Sequence, residues 1–354
     1  MEEKEIEAKK VNCPSCGAVM KYVPEKQKLY CENCETCREI QFKSITEKRL
    51  WENRNKGTKS TRAFAKENKS LKCKNCGASV VLNKLEYAKK CPYCSSSLIG
   101  ESEELVTLTP DGIIPFKLSA IEASNKYVQG VKKKFFVPRA FKKAPPVENI
   151  VGIYIPSFSF DAKGDSKYTG TLADDDTYTD RNGNKRTKTT YKNIAGTHKS
   201  ENIDVVVESS SKLNQVQLTQ ILPYDMKQMV EFKQGFIMGY VVEQYESTVE
   251  ECEKISKRIM EENIKRTILS KYNYDRVISF DMTTVYSEEK YMYYLLPIYK
   301  CAFTYKKKQY TTFMNGQTGK VGGGFPTSIW KVLLVVFGFT LLFLGIIALV
   351  MMME

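Results

Sequence analysis

The chain has 354 residues, 42% of them hydrophobic, with 54 Lys and Arg against 41 Asp and Glu, a formal charge of +13. That length holds two small metal modules, a domain or two of ordinary size and an anchor, and the basic balance points to anionic surfaces. The single histidine, His198, sits among polar residues in AGTHKS with no nucleophile motif beside it, which speaks against general-base catalysis and for a non-enzyme.

The first hundred residues carry a repeat. Cys13, Cys16, Cys31 and Cys34 recur sixty residues later as Cys73, Cys76, Cys91 and Cys94, and Gly17 and Gly77 follow the second cysteine of each set. Each set reads C-x2-C, fourteen residues, C-x2-C, the spacing of a four-cysteine zinc ribbon. Two residues between cysteines let a tight turn aim both sulfurs at one ion, and glycine permits the positive φ where the chain doubles back. A redox CxxC would come singly within a βαβ pattern. The expectation is two structural Zn2+ sites with all four positions of each taken by protein thiolates, leaving none for catalysis. Two filled sites would lower the net charge to about +9. Cys37, three residues after Cys34, has no counterpart in the second set, so Cys34 is expected to be the ligand. Cys252 and Cys301 read as small buried hydrophobes.

Between the cysteine sets, Ile45 to Lys72 is polar and basic, and reads as a solvated linker in which Trp51 and Phe64 could stack bases only if the segment bound nucleic acid. Ser119 and Glu122 form a capping box for a helix with a stripe of Ile121, Val128, Val131 and Phe135, ending before Pro138 with Lys132, Lys133 and Lys134 near its C-terminus. From Ile150 the pattern becomes β: GIYIPSFSF, SKYTGTL and DVVVESS, with Asn182-Gly183 as a hairpin turn between Thr177–Arg181 and Lys185–Tyr191. Asp174, Asp175 and Asp176 read as a solvated turn rather than a cation site. Ser247 and Glu250 cap a helix to Lys271 with an apolar stripe of Val249, Cys252, Ile255, Ile259 and Ile268. Strands follow at Arg276–Val285, Tyr291–Tyr305 and Gln309–Met314, then a hinge at Gly322–Gly324. The stretch GQTGKVGGG is not a Walker A loop, because Val321 follows Lys320 and Met314 stands where the first glycine belongs.

Val332 to Met353 has no charged residue and covers about 33 Å as a helix, enough for one transmembrane span. Trp330 suits the interface, and Lys and Arg lie before the helix with only Glu354 beyond it, so the body is expected in the cytoplasm. Reduced thiolates agree with that side. The charged start MEEKEIEAKK shows no signal peptide.

CPSCG…CENC and CKNCG…CPYC resemble transcription factor IIB-type zinc ribbons. The whole plan resembles the double-zinc-ribbon, single-pass membrane proteins of bacterial phage-shock-type operons. The resemblance implies an adaptor that brings a PspA-like envelope-stress protein and an SPFH or virion-core-like partner to the bilayer. Similar chains are also called primosomal helicases, which the missing Walker A opposes. The expected fold is multidomain α+β: ribbon 1 (1–44), basic linker (45–70), ribbon 2 (71–100), helical connector (101–148), a β-rich domain with amphipathic helices (149–328) and a transmembrane helix (329–353). The expected function is a membrane-anchored scaffold for protein partners. The alternative is a membrane-tethered nucleic-acid binder using the ribbons and the basic segment.

Overall fold

The computed structural model describes residues 12–45, 47–54, 68–83, 91, 93, 96, 101–103, 109–143, 145, 147–181, 183–210, 212–306 and 308–353. It is a mixed α+β structure organised on two long strands, β9 (Ile150–Thr179) and β13 (Arg276–Tyr305), for which the shorter strands are β1 to β8 before them. β9 and β13 pair antiparallel from Ala173 with Arg276 to Ile150 with Cys301, interrupted by irregularities at Val277/Ser279 and Ser287/Lys290. Strands of this length cannot stay flat, and such bulges add the twist that lets the ladder bend.

Burial along β9 changes with sequence. Ile153 to Phe160 is buried on both faces, whereas beyond it Lys163, Asp165 and Lys167 point to solvent while Ala162, Gly164, Ser166 and Tyr168 point inward. The first stretch lies at the centre of the sheet; the second forms a three-stranded arm with β10 (Lys185–Glu208) and the start of β13. Helix α3 (Val249–Leu269) lies across that arm, burying Cys252, Ser256, Met260, Ile264 and Ile268 at steps of four residues. Its cap is Thr248 with Glu251, one residue later than Ser247 with Glu250, because both pairs satisfy the capping box and tertiary packing selects between them. The hairpin joins Thr179 to Lys185, with Gly183 at φ +81 in the turn; Asn182 lies outside the described residues.

The central sheet runs β11 (Val230–Glu231), β8 (Gly112–Ile113), β13, β9, β12 (Val241–Glu243), β6 (Ser79–Asn83), β5 (Asn68–Lys72), β7 (Glu101–Glu103). β14 (Lys308–Asn315) and β4 (Arg49–Leu50) add to β13, and β15 (Val321–Gly323) pairs with β14. A separate three-stranded sheet holds β1 (Lys21–Val23), β2 (Lys28–Tyr30) and β3 (Cys37–Arg38). It is pinned to the body: Tyr22 OH donates to the Phe116 carbonyl at 3.1 Å, Tyr22 N–H donates to Met238 O at 3.0 Å, and the Tyr22 ring meets Phe236 edge-on at 5.4 Å. Helix α2 (Gln215–Ile221) closes the other side of the core with Leu218 and Ile221. Cys252 and Cys301 are fully buried, and burial pushes both thiols up to about 12.

Several local expectations change. Helix α1 (Ala120–Lys132) has the Ser119–Glu122 capping box, but buries Ala123, Ser124, Tyr127 and Val131, leaving Ile121 and Phe135 exposed. Gly322 and Gly323 lie in strand β15 instead of a hinge, and Phe325 beyond them packs against Tyr127 at 6.5 Å. Asp174 to Asp176 are in β9, where Asp175 accepts two bonds from the Arg276 guanidinium at 2.9 and 3.0 Å. The stretch from Lys48 to Arg54, expected to be solvated, is docked. Trp51 packs edge-on against Phe160 and Tyr291, Arg49 pairs with Asp111, and Lys48, its side chain 9% exposed, donates to Asp161 at 2.5 Å, Asp204 at 2.6 Å and Ser159 at 2.7 Å. Lys56, Lys59, Arg62, Phe64 and Lys66 lie outside the described residues.

Helix α4 (Ile329–Met353) is long and apolar enough to cross a membrane: its Ile329–Ile347 segment has a mean hydropathy of 2.4 and no part of it is buried in the body.

Removing Lys48 leaves two carboxylates facing each other. Lys48→Met should therefore lower stability by about 2 kcal/mol, less than the ~3–5 kcal/mol of a fully buried pair because both carboxylates reach water. The check is the urea midpoint of the detergent-solubilised chain; an unchanged midpoint would show that the triad contributes nothing.

Candidate metal centres

The chain folds back at the cysteines in one repeated way. Cys13 N–H donates to Ala18 O at 2.7 Å, Cys31 to Thr36 O at 3.0 Å, Cys73 to Ala78 O at 2.9 Å and Cys91 to Ser96 O at 2.8 Å. Inside three of these loops a second bond returns to the first cysteine carbonyl, from Gly17 at 2.9 Å, Glu35 at 2.9 Å and Gly77 at 2.8 Å. The residues making it have φ of +75, +61 and +69, so glycine follows from the left-handed turn in two of the three. Turns of this shape bring the sulfurs of Cys13 and Cys16, of Cys31 and Cys34, and of Cys73 and Cys76 together.

The result is two sulfur groups. The Sγ atoms of Cys13, Cys16, Cys31 and Cys34 all lie within 4.8 Å of one another, and so do those of Cys73, Cys76 and Cys91. Cys13 and Cys34 sulfurs are 3.4 Å apart, Cys16 and Cys31 3.5 Å, Cys76 and Cys91 3.7 Å. A tetrahedral zinc with Zn–S of about 2.3 Å needs sulfur edges of about 3.8 Å, so the groups have nearly the dimensions the ion requires. No disulfide forms among the described residues. Both groups could hold a metal ion. Cys94, expected as the fourth ligand of the second, lies outside the described residues. Cys37 stands apart from the first group, exposed, its sulfur 3.9 Å from the Lys26 ammonium.

Burial raises the Cys13 thiol, but backbone N–H groups of Cys16 and Ser15 and the neighbouring thiols outweigh it and bring it down to about 6. Cys31 goes the other way, to about 11: the Cys34 backbone lowers it, while burial and protons shared with Cys16 and Cys34 prevail. The Cys16 thiol is also lowered, first by the Ala18 backbone N–H, and a cation binding here would have to displace the protons that remain.

The second group is built into the main sheet. β6 leaves the Cys73–Cys76 turn and pairs with β12, which pairs in parallel with β9. Two residues after Cys91, Tyr93 donates its OH to Glu243 Oε2 at 2.6 Å. Lys300 donates to the Tyr93 carbonyl at 2.5 Å and lies 4.6 Å from its ring centre, and Lys212 donates to the Cys76 carbonyl at 2.8 Å. Glu243 is buried, and its second oxygen has no hydrogen-bond partner among the described residues. Burial pushes its carboxyl up to about 7. Spacing alone did not announce this anchor. Its traces in the sequence are an aromatic residue inside a CxxC turn and an acid inside the apolar run VVE.

His198 lies on β10, its Nδ1 3.1 Å from Lys271 Nζ; partial burial and then that charge hold the imidazole below its ordinary pKa. In the GQTGK turn, Asn315 Oδ1 accepts from the N–H of Gln317 and Thr318, so these amides face the protein and not a phosphate.

Co2+ titration of the metal-free chain should give two equivalents with the thiolate charge-transfer bands of tetrahedral sites. Cys34→Ser or Cys94→Ser should each remove or weaken one, and Cys37→Ser neither. Separately, Glu243 has a folded pKa above the ordinary 4.5. Its contribution is thus fully present below that value and is lost as pH rises through about 7. Glu243→Gln should remove a pH-dependent loss of about 3 kcal/mol between pH 5 and 8. Urea midpoints of the metal-loaded wild type and variant across that range measure it; parallel curves would refute it.

No family model matches the chain, and no solved structure matches it. It is similar to the uncharacterized protein YdjG of Bacillus subtilis (strain 168), 27% identical over 226 residues, which cover 64% of this chain and 66% of that protein's length.

Proposed function

We propose that the chain is a single-pass membrane adaptor without catalytic activity, whose zinc-ribbon units present protein-binding surface on the cytoplasmic side of the bilayer. One observation carries this reading: the sulfur groups close on themselves, with four thiols of the first set around one point, on a body joined directly to an unburied apolar helix. A four-thiolate zinc has no open position for water or substrate, which favours a shaping role for the metal. The first unit also leaves Val19 and Phe42 exposed beside its turns, the kind of apolar surface a protein partner covers. By the resemblance of the cysteine motifs and overall plan, PspA-like and SPFH or virion-core-like proteins are the partners proposed, with an envelope-stress role.

The test is affinity purification of the full-length chain from solubilised membranes, compared with Cys73→Ser/Cys76→Ser. A set of membrane-stress proteins lost with the double variant, at least about tenfold, supports the adaptor reading. Recovery of salt-sensitive nucleic acid in place of proteins would replace it with a tethered nucleic-acid binder.

A further inference from the structure

The C-terminal end of α1 and the start of α4 form one patch. In residues 132–143, KKKFFVPRAFKK, six of twelve side chains are Lys or Arg and none is acidic. Ser328 N–H donates to the Phe136 carbonyl at 2.8 Å, and the Lys331 ammonium donates to the carbonyls of Phe135 and Val137, each at 2.8 Å. Lys142 donates to the Lys132 carbonyl at 3.1 Å, folding the segment back, and Arg139 and Lys142 lie within electrostatic reach of Lys331. Lys134 stacks over Phe325 at 4.9 Å, so the chain leading into α4 is held against α1 as well.

Two phenylalanines stand out of this cationic surface. Phe135 is 55% exposed and Phe136 44%, their rings edge-to-face at 5.3 Å, and Trp330 beside them is 82% exposed. Among the described residues no carboxylate lies within 4 Å of Lys132, Lys133, Lys134, Arg139, Lys142, Lys143 or Lys331. Exposed aromatic rings ringed by unneutralised cations are costly in water and suited to the boundary between acyl chains and headgroups.

We propose that residues 132–143 are a second membrane contact, an interfacial wedge in which Phe135 and Phe136 enter the acyl boundary while the surrounding lysines and Arg139 bind anionic phospholipid headgroups. This rests on the reading of α4 as a membrane span. If α4 spans, the Ser328 amide and the Lys331 ammonium, bonded to the carbonyls of Phe136 and of Phe135 and Val137, put both phenylalanines level with the first turn of the span, so their depth is set by the fold. Charge complementarity selects the lipid: seven cations, six of them in one twelve-residue segment bonded to the start of α4, lie where an anionic leaflet would lie. The body is then held in one orientation on the bilayer instead of swinging from a tether.

The test uses the full-length chain in nanodiscs of phosphatidylcholine, alone or mixed with phosphatidylglycerol, carrying a shallow doxyl-labelled lipid. In the unmodified chain, quenching of Trp330 reports whether α4 is inserted. In Trp330→Phe/Phe135→Trp, with Trp330→Phe as the baseline for Trp51, emission from position 135 should be quenched at least about twofold more in the anionic bilayer than in the neutral one. Lys132→Gln/Lys133→Gln/Arg139→Gln, all exposed positions, should return it to the neutral level while metal content stays unchanged. Quenching at 330 without quenching at 135 would overturn the wedge and leave the span standing; no quenching at 330 would remove the span and the wedge with it. Equal quenching in both bilayers, unmoved by the Gln changes, would overturn the assignment to anionic lipid. Absent lipid quenching, with salt-sensitive oligonucleotide binding lost in the triple variant, would assign the cations to nucleic acid instead.

Discussion

The pairing of β9 with β13 is the constraint to which the other parts refer. β8, β4 and β14 take their places along β13, while β10 and β12 take theirs along β9. Through β12 the ladder receives β6, and with it the second cysteine group. The two strands also carry the transition from a core buried on both faces to an arm buried on one, so a single pair of segments sets where the body is thick and where α3 can lie.

The second cysteine unit extends this sheet, while the first keeps its own small sheet and packs on the same core. Tyr22 and Leu29 from the first enter the same apolar cluster as Phe116, Tyr154 and Phe236, and Val80, Val81 and Tyr93 from the second abut β12. Each buried side chain of this kind contributes about 1.5–3 kcal/mol, so the units hold to the body without relying on the ion alone. An ion in the second group would act on the body through Tyr93 and Glu243, because the same turn that aims Cys91 also aims the tyrosine.

Features set by local chemistry were legible before the structure. The CxxC pairs, the Ser119–Glu122 cap, the turn around Gly183 and the apolar run of α4 each depend on a few neighbouring residues. Features set by long-range packing were not. Ser247-Glu250 and Thr248-Glu251 are equivalent boxes until Cys252 and Met260 are seen to face the sheet. On α1 the small residues Ala123 and Ser124 are buried in place of Ile121, since close approach to the neighbouring chain rewards small volume over hydrophobicity, and Ser124 Oγ donates to Pro145 O at 3.1 Å. Lys48 looks like any surface lysine in the sequence because Asp161 and Asp204 are more than a hundred residues away.

The separation between paired segments also bears on how the chain is made. β8, at Gly112–Ile113, finds its partner at Tyr294–Leu295, and β4 finds its partner at Lys290–Tyr291. During synthesis the N-terminal third therefore leaves the ribosome long before the strand that receives it exists, the situation that slows folding and exposes unpaired edges. Cys13 and Cys34 are only 21 residues apart, and a cation gathered there closes a loop with no contribution from β13. An ion bound there would serve most in the interval of translation, keeping a short segment compact until its place in the sheet has been synthesised.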